Sequence, residues 1–335
     1  MKSLHSICIL IFFFCFLFTH VTPVQAQNKF QHDSTYYETF PEKINVRLYL
    51  SQKYVHLNFP ETGNTTGIEY KANPKLNLGV GFSVKGFSLN IFNGFSFLNK
   101  NDLPKGKTKG LNLQLHLYPK KWTVDLLVEL PKGFHLEPKG LAGAGANNYY
   151  YRADVQSSVI GLSAYRIPNK EKFSYRAAIL QTEWQKKSAG SFLYGGEAYR
   201  GQITGDSALI PKLLSNGIPQ AAVTKLHFFS FGPGAGYAHT FVIDKHFYIT
   251  GSAVANLDVN ITSEVGASKK NKVSLNTSEV FKAALGYNSS TWNVSANWLG
   301  NGIRVKGALS TKSYFLPSGN VRLVIARKFN LHKKS

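Results

Sequence analysis

Histidine beside a carboxylate is the pairing from which a proton relay is most readily built, and this chain offers one. His116 and Asp125 fall on the polar faces of two adjacent extended runs. A carboxylate that holds an imidazole can orient it as a general base, but the relay needs a nucleophile or substrate proton within hydrogen-bond reach. Nothing in register near His116 supplies a nucleophile, so both residues are read as polar residues of a wall. His239 and His246 bracket a turn, and no carboxylate pair completes a metal site around them. The chain contains no His-Glu-x-x-His, no phosphate-binding loop and no Gly-x-Ser-x-Gly. Gly232 to Gly236 (GPGAG) resembles a nucleotide loop only in composition, because no helical pattern follows it. No catalytic residue, metal ligand or cofactor is expected.

One group of charges does call for a position. Arg176, Gln181, Glu183, Lys186 and Lys187 continue a run whose other face, Phe173, Tyr175, Ala177 and Ile179, is apolar. Polar groups carried by such a run face inward together, so an internal polar network is expected of these five.

The elements that must position them are strands. Residues 43–51 alternate strictly, with Ile44, Val46, Leu48 and Leu50 on one face. Residues 111–118 and 122–130 alternate around a turn at Pro119 and Lys120. The longest regular run spans 246–262, with Phe247, Ile249, Leu257, Val259 and Ile261 on one side and Tyr248, Thr250, Asn256, Asp258 and Asn260 on the other. Residues 173–182 read as a further strand. Glycine, proline and asparagine mark loops at 60–67, 99–109, 131–155 and 204–222. No stretch keeps a helical period. The expectation is one all-β domain of about 12 strands, within a range of 10 to 14.

The ends of the chain bound the location. Residues 1–26 have the form of a secretory signal: Lys2, an apolar core from Ile7 to Phe18, and small-residue cleavage at Val24-Gln25-Ala26. Residues 27–42 read as a flexible lead-in, 43–329 as the barrel domain and 330–335 as a short tail. Both cysteines, Cys8 and Cys15, lie in the signal, so a mature chain has no thiol for disulfide or metal chemistry. The net charge of +21 suits an anionic lipid or polysaccharide surface better than nucleic acid, which an exported protein rarely meets.

An antiparallel transmembrane β-barrel of the outer-membrane type fits these features. The alternating runs approach or exceed the ~9–11 residues that a tilted strand needs to cross a bilayer. Short turns alternate with long loops, and the polar face carries Arg47, Asp125, Glu129 and Asp258. Trp292 and Trp298 share one face about 20 Å apart, the separation of two interfacial girdles. A last strand closing on Phe329 is similar to the assembly signal of outer-membrane barrels. The expected role is structural or a narrow pore, with outer-membrane lipid, the anionic lipopolysaccharide surface and the barrel-assembly machinery as partners. Two alternatives stand beside it: a lipid- or glycan-modifying barrel enzyme, or a soluble secreted all-β binding protein.

Several short blocks also resemble one family. They are residues 173–196 (FSYRAAILQTEWQKKSAGSFLYGG), 69–74 (EYKANP), 79–81 (GVG), 106–109 (GKTK), 206–211 (DSALIP), 232–237 (GPGAGY) and 284–287 (ALGY). Together they are similar to the Bacteroidota domain-of-unknown-function family 4421. The resemblance implies an outer-membrane-type barrel and transfers no catalytic residue.

Overall fold

A computed structural model describes residues 32–60, 67–84, 87–99, 103–119, 121–309 and 312–331. The signal at 1–26 and the tail from residue 332 lie outside the described residues. Period-2 alternation becomes strands here because it gives each strand an apolar and a polar face to separate. In chain order they are β1 (Tyr37–Thr39), β2 (Lys43–Asn58), β3 (Glu69–Ala72), β4 (Asn77–Val84), β5 (Phe87–Asn93), β6 (Asn112–Leu117), β7 (Trp122–Glu129), β8 (Lys132–Glu137) and β9 (Tyr151–Arg166). A single helical turn, α1 (Tyr175–Ala178), and β10 (Glu183–Gln185) follow. The series ends with β11 (Ala189–Thr204), β12 (Lys225–Ile243), β13 (Phe247–Val265), β14 (Lys269–Asn288), β15 (Trp292–Lys306) and β16 (Ser313–Asn330).

The sheet closes on itself. From β11 each strand pairs antiparallel with the next as far as β16, and β16 pairs with β2. The ring is then completed through β3, β8 and β9 back to β11. Closure leaves no edge in this ring of ten strands. At one end lie short turns, such as the one joining β12 to β13, with the start of β2 and the end of β16; we call it the turn end. The other, the loop end, carries 205–224 between β11 and β12, while the similarly long 167–188 between β9 and β11 starts at the turn end.

Toward the turn end the ring forks. β2 leaves β3 and pairs with β4 over Asn45–Ser51, while β9 leaves β8 and pairs with β7. Two more strands fill the wedge, β5 on β4 and β6 on β7. The wall thus has ten strands at the loop end and twelve at the turn end, and the expected count of about 12 holds for the wider part. The crotch is tied by short-range bonds from two of the family blocks. The backbone N–H of Asn73 donates to Thr108 Oγ1 at 2.7 Å, and that hydroxyl donates to the Gly133 carbonyl at 2.7 Å.

The faces are inverted relative to a water-soluble sandwich. Leu48, Ile91, Leu115, Ile160, Phe192, Phe241, Ile249, Leu285 and Ile325 all point outward and are exposed. Arg47, Asp125, Glu129 and Asp258, expected on the inner face, are all buried. Each end of the interior is stoppered by an apolar cluster. At the loop end Leu209, Ile210 and Ile218 of the long connection pack on Tyr70, Phe134 and Tyr314 of the wall. At the turn end Phe173, Tyr175, Ala178 and Ile179 pack on Leu193, Tyr248 and Val280.

Two expectations change here. The strand expected over 173–182 is instead α1 and its flanks, folded into the lumen. Phe173, Tyr175, Ala177, Ala178 and Ile179 are all buried, so this stretch has no outward face and its apparent alternation carried no information about pairing. Ser174 caps the turn, accepting from the Ala177 N–H at 3.1 Å. The lead-in, expected to be mobile, is held from His32 onward, because β1 pairs antiparallel with β10 and the Asp33 N–H reaches the Glu171 carbonyl at 2.9 Å.

Candidate functional site in the barrel lumen

Between the stoppers lies a buried polar belt, contributed one residue at a time by inward positions of successive strands. Its first half centres on Asp125 of β7. Lys282 of β14 reaches across the lumen, with Nζ 2.8 Å from Asp125 Oδ2 and 2.7 Å from Thr123 Oγ1. His116 of β6 sits on the other side, Nδ1 to Asp125 Oδ1 at 2.6 Å. The ammonium also lies over the rings of Tyr118 and Tyr175, at 4.9 and 5.3 Å, so the turn-end stopper touches the belt through Tyr175. A cation–π contact in so dry a setting is among the stronger of its kind.

The second half contains two carboxyl groups. Glu197 of β11 accepts from the Tyr165 and Tyr199 hydroxyls at 3.0 and 3.3 Å. Asp258 of β13 accepts from Ser230 at 2.9 Å. Ser278 Oγ touches both carboxyls, yet its one hydroxyl hydrogen can serve only one of them at a time. The glycines of the 232–237 block make room for this half. A Cβ on Gly232 would meet Asp258 and the Leu257 carbonyl, and one on Gly234 would meet Asn256. Pro233 interrupts the ladder to β13 without shifting its register.

The five residues expected to form one network divide into two groups. Glu183 accepts from Ser174 Oγ and faces Arg176, whose Nε is 3.5 Å away. Burial raises the Glu183 carboxyl above its ordinary value, and Arg176 offsets this only in part. Gln181 is buried beside them, donating to the Ile179 carbonyl at 2.8 Å and lying 3.5 Å from Ser295 Oγ. Lys186 and Lys187 turn the other way. Lys186 Nζ lies 3.4 Å from Glu38, and Lys187 Nζ lies over the Tyr36 ring at 5.5 Å. They fasten the lead-in, whose place in the fold the local pattern could not reveal.

The stopper is bound to the wall mainly through its backbone carbonyls. Arg47 donates to Leu180 O at 3.1 Å, Tyr248 to Ala178 O at 3.2 Å, and Asn288 to Glu183 O at 2.9 Å. Tyr175 Oη adds a 2.5 Å contact to Ser252 Oγ.

Of the other histidines, His246 stacks between Trp184 and Tyr287, and His239 lies beside Phe241 on the outer face, so the two share no site. Among the described residues, no cluster of three or more metal-binding side chains occurs. Lys282, Glu197 and Ser278 were not singled out from the sequence. The signal was present, since each is a polar residue at an inward position of an alternating run.

A closed antiparallel barrel with a filled lumen is the class these features define. Within it, the chain belongs to the domain of unknown function family DUF4421, whose profile matches residues 31–329. No curated protein is significantly similar in sequence. Among solved structures, the chain is similar to the outer membrane protease OmpT from Escherichia coli, at 8% identity and a TM-score of 0.36, covering 88% of this chain and 98% of that one. It is also similar to the translocator domain of the autotransporter NalP from Neisseria meningitidis, at 9% identity and a TM-score of 0.34, covering 86% and 88%. The Pseudomonas putida toluene transporter TodX follows at 9% identity and a TM-score of 0.27, covering 87% and 90%.

Proposed function

We propose that this protein is an outer-membrane barrel with a closed lumen, serving as a structural element of the envelope and not as an open diffusion pore. One observation carries the reading: a barrel apolar outside and ion-paired inside is stoppered at both ends by its own chain. Outside water, backbone groups must be satisfied internally, which a ring of paired strands achieves. Aromatic residues support the same placement. Trp292 and Phe329 stand outward near the turn end, and Trp298 stands outward nearer the loop end with its Nε1 on Tyr54 Oη at 3.0 Å. The exposed apolar surface argues against a soluble secreted binding protein. On this reading the partners are outer-membrane lipid, the anionic lipopolysaccharide surface and the barrel-assembly machinery.

Planar-bilayer recording tests the closed state. The whole protein is expected to be silent. A variant with both stoppers loosened, Arg47→Ala with Asn288→Ala at the turn end and Tyr70→Phe with Arg152→Ala at the loop end, is expected to show discrete conductance steps. Steady conductance from the unaltered protein would overturn the reading.

A second reading, a lipid- or glycan-modifying enzyme, is favoured by the His116–Asp125 hydrogen bond alone. Comparing envelope lipids of a deletion strain complemented with the wild-type chain or with His116→Asn decides it, since identical lipids remove it.

A further inference from the structure

The fork in the wall is also a window. Where β2 parts from both β3 and β4, residues 52–55 have no paired strand on that side among the described residues, and a cavity of about 470 Å³ opens there. Its lining joins two surfaces. Leu50, Leu76, Val321 and Leu323 belong to the apolar exterior, while Lys53 belongs to the inner face. Among the described residues, five basic ones line it, Lys53, His56, Lys71, Lys105 and His135, and no carboxylate does.

Three of the five form a row. His56, Lys71 and His135 stand opposite one another across β2, β3 and β8, on the same outward face. His56 and Lys71 are each 3.2 Å from Glu69, which lies outside the cavity lining. His135 is 1% exposed, covered by Tyr149 ring edge to face at 5.0 Å. Among the described residues its Nδ1 makes no hydrogen bond, and its Nε2 faces Glu137 Oε1 at 3.5 Å. A buried imidazole with one nitrogen unused and the other held only by a long contact is costly unless something else occupies the site. Lys53 reaches through the wedge to the Asn112 carbonyl and lies over the Phe92 ring at 5.3 Å.

We propose that this window binds a phosphate-bearing membrane lipid, its phosphate among Lys53, Lys71, Lys105 and His135 and its acyl chain along Leu50, Leu76 and Leu323. The level in the wall suits a headgroup. Val321 pairs with both Gln52 of β2 and Trp298 of β15, so the window lies at the height of the Trp298–Tyr54 pair, where an interfacial girdle would sit. The volume holds a phosphorylated headgroup but not a whole lipid, so the chains must run outside, where the surface is already apolar. The inference rests on the membrane reading above.

The test uses the full-length protein in neutral detergent, probed with palmitoyl lysophosphatidate, palmitoyl monoglyceride and inorganic phosphate. Native mass spectrometry is expected to retain the lysophosphatidate at least tenfold better than the monoglyceride, and not to retain phosphate. Lys71→Ala with Lys105→Ala is expected to abolish that preference. Should the double variant fold poorly, a photo-crosslinking residue at position 52 of the otherwise unaltered chain is expected to capture the lysophosphatidate before the monoglyceride. Equal retention of both amphiphiles overturns the proposal, and so does equal retention of phosphate, which would mark a small-anion site. A protein that stays monodisperse without detergent refutes the membrane reading itself, an outcome that sedimentation distinguishes from loss of the lipid site alone.

Discussion

At the scale of single residues, the belt is a case where removing one partner is worse than removing both. Asp125 is held by Lys282 and His116 in a water-poor interior. Breaking a buried pair by deleting one member leaves an uncompensated charge and costs ~3–5 kcal/mol, whereas replacing the whole pair with apolar residues is often near neutral. Lys282→Met is therefore expected to destabilise the barrel by about that much, and Lys282→Met with Asp125→Leu to recover most of the loss. Urea unfolding in detergent measures both. Gly234→Ala meets the same interior sterically. With Asn256 filling the space a Cβ would take, a loss of ~1–3 kcal/mol is expected, read in the same titration. Residues of this kind were half legible in the sequence. Arg47, Asp125, Glu129 and Asp258 declared themselves by phase, but which charge meets which depends on strands more than a hundred residues apart, and phase does not carry that. Lys186 and Lys187 show the limit most clearly. Their partners, Glu38 and Tyr36, lie in a lead-in whose sequence has no pattern of its own.

At the scale of elements, the stopper between β9 and β11 is the part whose behaviour should depend on pH. The Glu183 carboxyl is raised in the folded protein, so protonation is favoured by folding. Its contribution is complete below the ordinary value of 4.5 and is lost as pH rises through the raised value. The hydrogen-exchange protection factor of residues 173–183, with the intrinsic pH dependence of amide exchange divided out, is thus expected to fall as pH rises above 4.5 through the raised value, and to stay nearly constant in Glu183→Gln. Identical pH dependence in the two proteins would exclude Glu183 as the cause. The stopper is also where strand reading failed. Phe173, Tyr175, Ala177 and Ile179 alternate as a strand would, but Ala178 between them is just as buried. A segment surrounded on all sides by wall needs no polar face, so its residues cannot indicate which way it points. By contrast β13 was legible throughout, because one of its faces meets the exterior and the other the belt.

At the scale of the whole molecule, the family blocks acquire separate jobs. Residues 69–74 and 106–109 meet at the crotch of the fork, where Asn73 and Thr108 are bonded. Residues 206–211 close the loop end, with Tyr70 donating to the Leu209 carbonyl at 2.8 Å and Arg152 to the Ala208 carbonyl at 2.9 Å. Residues 232–237 make room for the belt. A barrel held by continuous pairing around a packed interior should resist dodecyl sulfate in the cold and unfold only on boiling. A faster-migrating unboiled band in the outer-membrane fraction is expected on gel electrophoresis. A soluble periplasmic species with no such shift would sink the membrane assignment. Strand number was legible to within the range set by alternation. The fork was not, because β8 lies within 131–155, which its glycine and proline mark as a loop, β3 is too short to show alternation, and only the pairing partners reveal where the wall divides.

That divergence leaves a mechanical weak line. Among the described residues β5 is paired only with β4, and β6 only with β7, so no backbone ladder joins β5 to β6, and the Lys53–Asn112 bond ties β6 to β2 instead. A ring stitched everywhere but along one line opens along that line first. The β4–β5 and β6–β7 hairpins are therefore expected to lose hydrogen-exchange protection before the ten-strand ring that closes at the loop end.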